Sequence, residues 1–539
     1  MKHAAVKYAE LVKEFSNLPD GRGANHALLA RFFGKLLQHW STSPELPQQA
    51  EDFALSYIFY DSKAAQNEAR WTLNKAVKYE SCLDFVTKTN SETSKSLSRL
   101  LFLRGFPSAE WLGVIGARYR IDSEFFMRFL HFKPARDTTP NYSLPALPAA
   151  TWNILEFLIV TIGERKVLPG LVDQSTINTM RKEAGLQLQV HHDLLRGNDG
   201  VAVASSVVRD ISIIDHSCFA LEQCIWICLQ PLLIKDSDGG RWTLVVWTDA
   251  GRTTSVKSIL DLNVLPKEFQ TEAISLLPVI DYKPSTALAA QRYTSLGHVY
   301  PIKGAEAASQ LCDGYGRTLH EDVMASDPLY ALTEVFNVTT ASVNQFLNLI
   351  EHKLSGFTDD EHYDDFDMLS NLRYSKDVLY RQQRQLEQVS AWPKLHQLLG
   401  GIGWRTTSTE DPKASQAAKS ILQRYEYLQT RVQKLQAQCQ DAISNLMNNI
   451  NLKEVRNSYE QSKRIGKLTF LAFLFAPLSF TTSFFAMNIG LQNLTLKTWL
   501  AVTIGLLSIT FFLVVVNFSG WIKLLQNKMH HATKKARYL

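Results

Sequence analysis

The chain has 539 residues, 45% of them hydrophobic, and its 57 Lys and Arg against 52 Asp and Glu give a formal charge of +5. That surplus sits in one place: Lys523, Lys528, Lys534, Lys535 and Arg537 follow the last apolar run with no acidic residue among them, and the remainder is formally neutral. A chain of this length holds two to four structural units with ample core, and basicity confined to a tail beside apolar segments excludes a nucleic-acid footprint in favour of a membrane topology signal.

Six scattered cysteines (Cys82, Cys218, Cys224, Cys228, Cys312, Cys439) form no CxxC module, which points to a reducing compartment. The opening MKHAAVKYAELVKEF has no continuous apolar stretch and lacks the Arg- and Ser-rich, acid-poor composition of an organelle presequence. Insertion into a membrane would then be directed by the late apolar runs.

In chain order, residues 1–100 form a mainly helical region without further assignment, and helical patterning continues to about 140 in clusters such as ALLARFFGKLL and SEFFMRFLHF. In GFPSAEWLGVIGARY, Ser108 is the expected N-cap, with Glu110 in the first turn. From Trp152 the pattern turns to strands: WNILEFLIVTIG, VAVASSVV, CIWICLQPLLI and RWTLVVWTD are rich in branched and aromatic residues, and KDSDGG between the last two suits a hairpin. Residues 101–325 are therefore expected to be an α/β or α+β domain.

Two long helices follow over 326–400. Asp327 is the expected N-cap with Pro328 at the first helical position, and Leu332, Phe336, Thr339, Val343, Phe346, Ile350 and Leu354 line one face. The second helix runs from about Asp365 to Leu399. Residues 401–413 read as a loop. Beyond it, Ile421, Tyr425, Leu428, Val432, Leu435, Cys439, Ala442 and Leu446 alternate steps of four and three, a heptad seam expected to join identical subunits, the alternative being two separate helices packed on the domain. With no proline between Ala414 and Ala476, a single stalk helix over 414–488 can lead into a first span at 468–488, about 110 Å in all.

The first span, LTFLAFLFAPLSFTTSFFAMN, carries no charge. A loop at 489–498 precedes a second span at 499–521, whose two end tryptophans stand roughly 33 Å apart and suit an aromatic belt at each interface; the tail 522–539 is basic. Lys463, Arg464 and Lys467 precede the first span, whereas the loop has only Lys497, so both termini are expected in the cytosol. Around the first span, Leu468, Ala472, Ala476, Ser479, Ser483 and Ala486 form a face of small or hydroxylated residues, with Phe470, Phe473, Leu474, Phe480 and Phe484 roughly opposite. Such a face packs helices tightly, or in a ring of identical subunits lines a pore.

This C-terminal arrangement resembles the CorA-type magnesium transporters, in a divergent eukaryotic branch. The resemblance is carried by the helical stalk, KLTFLAFLFAPLSF, a tripeptide at the outer end, a short loop, a second span and a basic tail. Weaker matches run through GFPSAEWLGVIGARYRIDSEFF, FALEQCIW, WTLVVWTDAG and SDPLYALTEVF. It implies a homopentamer with a cytosolic α/β funnel, first-span helices around the pore and second-span helices outside. The family's Gly-Met-Asn, whose asparagine ring holds a hydrated cation at the mouth, corresponds here to Ala486-Met487-Asn488, and the loop IGLQNLTLKT lacks acidic residues.

The expected function is transport of magnesium or a related divalent cation. Asn488, Met487 and Ala486 select, Ile465 and Leu468 form an apolar constriction, and Ala472, Ala476, Ser479 and Ser483 line the pore. No covalent cofactor is expected; Mg2+ is the transported ion. By the same resemblance Asp359, Asp360, Glu361, Asp364 and Asp365 are candidates for a regulatory cation site, although a solvated acidic turn has the same composition. Asp236–Gly240 reads as a turn, and His191-His192-Asp193 lacks a matching ligand pair. Nothing resembles a P-loop, GxSxG or HExxH, so the chain is not expected to be an enzyme. The protein is expected as a multi-pass membrane protein, in the plasma membrane first and an internal membrane second. The alternative is a non-conducting membrane-anchored scaffold or sensor with the same fold, which Ala486 and the loop without acidic residues favour.

Overall fold

The computed structural model describes residues 2–19, 23–42, 52–60, 77–91, 97–132, 151–165, 173–197, 201–231, 242–251, 264–269, 274–280, 306–309, 311–312, 315–316, 318–359, 365–398, 411–487 and 497–512. It contains two compact units, Met1–Ile443 and Ser444–Leu539.

The first unit is built on one sheet. Its strands are β1 (Ala54–Tyr60), β2 (Val77–Tyr79), β3 (Leu97–Arg104), β4 (Ile154–Arg165), β5 (Asp210–Ile213), β6 (Cys218–Pro231), β7 (Trp242–Thr248) and β8 (Ile274–Leu276), in the order β2-β1-β3-β7-β6-β4-β8. One edge of β6 is shared, by β5 over Phe219–Glu222 and by β7 over Ile225–Pro231. The pairing of β3 with β7 is parallel; the other pairings are antiparallel. Every residue of β7 is buried, as expected for a strand covered on both faces.

Register and alternation sort the covering helices. Trp226 opposes both Trp247 and Glu156 across the sheet, so Phe157 and Ile225 point to the other face. On the Trp247 side lies α5 (Ser123–Leu130): Phe129 stacks on Trp247 at 3.5 Å, with Phe125 and Phe126 beside it. Here α1 (Lys2–Ser16), α2 (Ala27–Thr42), α3 (Cys82–Ser91) and α4 (Ala109–Tyr119) pack together with α5. Ser108 caps α4 by accepting from the Trp111 amide. On the Phe157 side, Phe336 of the helix Thr333–Asp359 meets Phe157 edge-on at 4.9 Å. Asp327 caps the short helix Pro328–Ala331 by accepting from the Leu329 and Tyr330 amides, and the seven residues from Leu332 to Leu354 named above are all buried. A third helix, α6 (Gln174–Gly197), covers β5, β6 and β8 with Ile177, Met180, Ala184 and Leu188.

Three expectations need correction. Residues 1–100 are not a helical region apart from the sheet: β1, β2 and the start of β3 belong to it, and β1 buries Leu55, Tyr57 and Phe59 on one face and Ala54, Ser56 and Ile58 on the other. VAVASSVV (201–208) is not a strand. It is a buried connection pinned by its backbone, with Ala204 N–H donating to Phe106 O, Phe106 N–H to Ser205 O and Val207 N–H to Asp249 O, each at 2.8 Å. Gly105, at φ +60°, lets this connection approach, because a Cβ there would stand 2.3 Å from the Ser205 oxygen.

The third correction concerns the heptad seam. Ile421, Tyr425, Leu428, Val432, Leu435 and Cys439 are buried within the single chain. Tyr425 meets Phe336 edge-on at 6.2 Å and its hydroxyl lies 3.3 Å from Thr339 Oγ1, while Arg431 bonds Asn344 at 2.6 Å and Lys376 bonds Gln440 at 2.6 Å. The seam packs on the helices Thr333–Asp359 and Asp365–Leu398 of the same chain. All six cysteines are buried, and none forms a disulfide.

The second unit comprises the end of the helix Pro412–Ala486 and the shorter apolar helix Lys497–Phe512. Pro412–Ala486 is long and apolar enough by composition to cross a membrane, with a mean hydropathy of 1.7 over its most apolar stretch.

Candidate functional site

The apolar end of Pro412–Ala486 is asymmetric. At about 100° per residue from Leu468, the small-residue positions Ala472, Ala476, Ser479, Ser483 and Ala486 fall between roughly 0° and 80°, with Ile465 near 60°. All are exposed, Ile465 at 62% and Leu468 at 68%. The shielded positions are Pro477, Leu478, Thr481 and Phe485, between roughly 180° and 280°. This shielded face carries the contact with Lys497–Phe512: Thr481 Oγ1 and Thr503 Oγ1 lie 3.3 Å apart, both buried. Helix pairing therefore consumes the face opposite the small residues and leaves the latter uncovered.

The aromatic residues divide accordingly. Phe470, Phe473, Phe480 and Phe484 flank the contact and remain exposed, apolar surface of the kind a hydrocarbon environment would cover. Pro477 has no N–H to give the Phe473 carbonyl, a loss tolerated in membrane helices. Sequence reasoning did not single out Thr481 and Thr503; hydroxyls on both apolar helices, off the small face of the first, were the available signal.

Ala486 is the last residue of the helix, and the Met487 amide still donates to Ser483 O at 3.2 Å. The Ala486 backbone is thus helical, and its methyl group occupies no conformation reserved for glycine. Asn488 lies outside the described residues, as do the loop 489–496 and residues 513–539. So do Asp360, Glu361 and Asp364 of the acidic cluster; Asp359 ends one helix and Asp365 begins the next. Among the described residues, no group of three or more His, Cys, Asp or Glu is arranged to hold a metal ion.

Within the first unit, the ionisable groups at the sheet are occupied structurally. Arg209 grips Asp249 with two hydrogen bonds of 2.8 and 2.7 Å, donates to Phe129 O and lies against the rings of Phe129 and Phe132. His191 is pushed down to about 4 by burial and by His192, so it stays neutral. Burial pushes the Glu306 carboxyl up to about 7, against the hydrogen bond from Ser206 at 2.8 Å.

No curated protein matches the chain. Among solved structures it is similar to that of the full-length CmaX protein, at 10% identity over 87% of this chain and 98% of that one, with a TM-score of 0.31. The family described as CorA-like Mg2+ transporter protein matches residues 319–519, a segment that takes in the capped helix after Asp327, the long helix with its small-residue face and the helix paired to it through Thr503.

Proposed function

We propose that the protein is a homo-oligomeric membrane transporter for Mg2+ or a related divalent cation, with the helix ending at Ala486 as the pore helix. The observation that carries this reading is the uncovered face of Leu468, Ala472, Ala476, Ser479, Ser483 and Ala486, opposite the Thr481 contact. Around a symmetry axis such a face offers hydroxyls from Ser479 and Ser483 to a hydrated ion, with Ile465 and Leu468 as an apolar constriction that gates by dewetting. Asn488 then supplies amide oxygens at the outer mouth, suited to an ion that keeps its water shell. The family match over residues 319–519 supports the same cation class.

In this reading two spans cross the membrane, both termini face the cytosol, and a pentamer encloses the axis. The acidic residues from Asp359 to Asp365 are proposed as a regulatory cation site. The helical backbone at Ala486 removes one reason to expect a non-conducting scaffold.

Magnesium flux into liposomes containing the purified protein tests the proposal. Wild type should conduct, Asn488→Ala should abolish flux without changing oligomer size, and Ala486→Gly should conduct at least as well as wild type. Unaltered flux in Asn488→Ala would remove the selectivity ring, and silence of both wild type and Ala486→Gly in a correctly assembled oligomer would leave the scaffold.

A further inference from the structure

The charges just before the first apolar segment are not spread evenly around the helix. At about 100° per residue from Leu468, Lys463, Lys467 and Arg464 fall between roughly 220° and 320°, whereas Ile465, in the same turn, falls near 60° with the small face. All three basic side chains are exposed, and they lie within about 8 Å of Leu468 along the axis. If the small face surrounds an axis, Lys463 and Lys467 point away from it and Arg464 to one side, at the level where the apolar segment begins. Long basic side chains at that depth extend along the helix and place their charge among the headgroups.

We propose that Lys463, Arg464 and Lys467 form an outward-facing binding surface for anionic phospholipids of the cytosolic leaflet. The surface rests on the membrane reading above and adds to it a lipid partner of stated charge. Orientation by the positive-inside bias needs only the number of basic residues on one side of the membrane, not their placement on one helix face. The angular separation from Ile465 is what a lateral partner requires. Glu460, near 280°, stands one to two turns further from the membrane.

The test uses the full-length protein in phosphatidylcholine vesicles carrying a trace of spin-labelled phosphatidylserine or spin-labelled phosphatidylcholine. The motionally restricted fraction reports lipid in contact with the protein. Wild type should prefer the serine lipid at low salt by about fivefold or more, the preference expected of a single charge near the surface, and 0.5 M NaCl should reduce that preference by screening. Lys463→Gln/Arg464→Gln/Lys467→Gln should clearly lower the preference, the basic tail after Trp521 accounting for what remains, while Lys463→Arg/Arg464→Lys/Lys467→Arg should keep it in full. Equal association of the two labels with wild type overturns the inference, as does a full preference retained by the glutamine variant. A restricted component present for both labels shows insertion, so loss of preference alone counts against the lipid surface; no restricted component for either label counts against the membrane reading itself, and the lipid surface falls with it.

Discussion

The hydroxyl oxygens of Thr481 and Thr503 lie 3.3 Å apart, and each also reaches a carbonyl of its own helix, Leu478 O at 3.0 Å and Trp499 O at 2.7 Å. The pair sets the rotation of one apolar helix against the other. With Thr481 turned to its neighbour, Ser479 and Ser483 are turned away. A single polar contact thereby accompanies the turning of the small-residue face away from the neighbouring helix.

Thr503→Val removes this contact while keeping shape. Interhelical hydrogen bonds in membranes contribute about 0.6 kcal/mol on average and up to about 1.7, so a small loss of thermal stability in detergent is expected. The bulkier Thr481→Phe should lower stability further and reduce cross-linking between cysteines introduced on the two helices. An undiminished cross-link in Thr481→Phe would show that another contact sets the rotation.

Leu428 and Leu435 are 2% and 1% exposed inside one subunit, so a charge at either acts on folding before it acts on assembly. Leu428→Asp and Leu435→Asp should each cost on the order of 3–5 kcal/mol, from the lost burial together with an unpaired charge. Tyr427, 59% exposed on the same helix, should tolerate Asp within about 0.5 kcal/mol. Thermal melts of the full chain distinguish the positions; a stable subunit that merely dissociates in Leu428→Asp would restore the seam to the subunit interface.

Glu306 has a folded-state value of about 7 against an ordinary 4.5, raised by burial. Its protonated form favours the fold, so the contribution is fully present below pH 4.5 and is lost as pH rises through 7, a difference of roughly 3 kcal/mol across that window. His191 acts in the opposite sense, its neutral form favouring the fold, and its contribution falls away below pH 6.5. Comparing melting temperatures of wild type and Glu306→Gln between pH 5 and 8 isolates the carboxyl. The variant should gain on wild type as pH rises, and parallel curves would contradict this.

Leu468→Ser should ease wetting of the proposed constriction and raise magnesium flux, because a hydroxyl replaces an isobutyl group on the small face. The same change at Phe470, on the opposite side of the helix, should leave flux unchanged. Equal effects at both positions would mean that the rotation of the helix about the axis is misassigned.

Much of this was legible in order along the chain. Local chemistry spoke plainly where it is self-contained: Asp327 followed by Pro328, Ser108 before its helix, and the branched and aromatic runs that became β4, β6 and β7. VAVASSVV has the composition of a strand but gives its N–H groups to Phe106 and Asp249, partners about a hundred and about forty residues away, which no window on the sequence contains. The heptad of Ile421 to Cys439 is equally regular whether its partner is another copy or the chain's own helix after Thr333, because periodicity states that a face is buried and not by what. The small-residue face could be read by counting; that it stays uncovered required Thr481 and Thr503 to meet.

The burial of every cysteine has a practical side. Burial raises the thiol of Cys228 to about 12 and that of Cys439 to about 11, and Cys224 is raised as well, so these groups stay in the unreactive protonated form. The native protein is close to silent toward maleimides and methanethiosulfonates. A cysteine placed at Ser479 or Ser483 would report its own accessibility against almost no background, without first rebuilding the molecule as a cysteine-free variant, and a spin label at either site would measure distances between copies in the proposed oligomer.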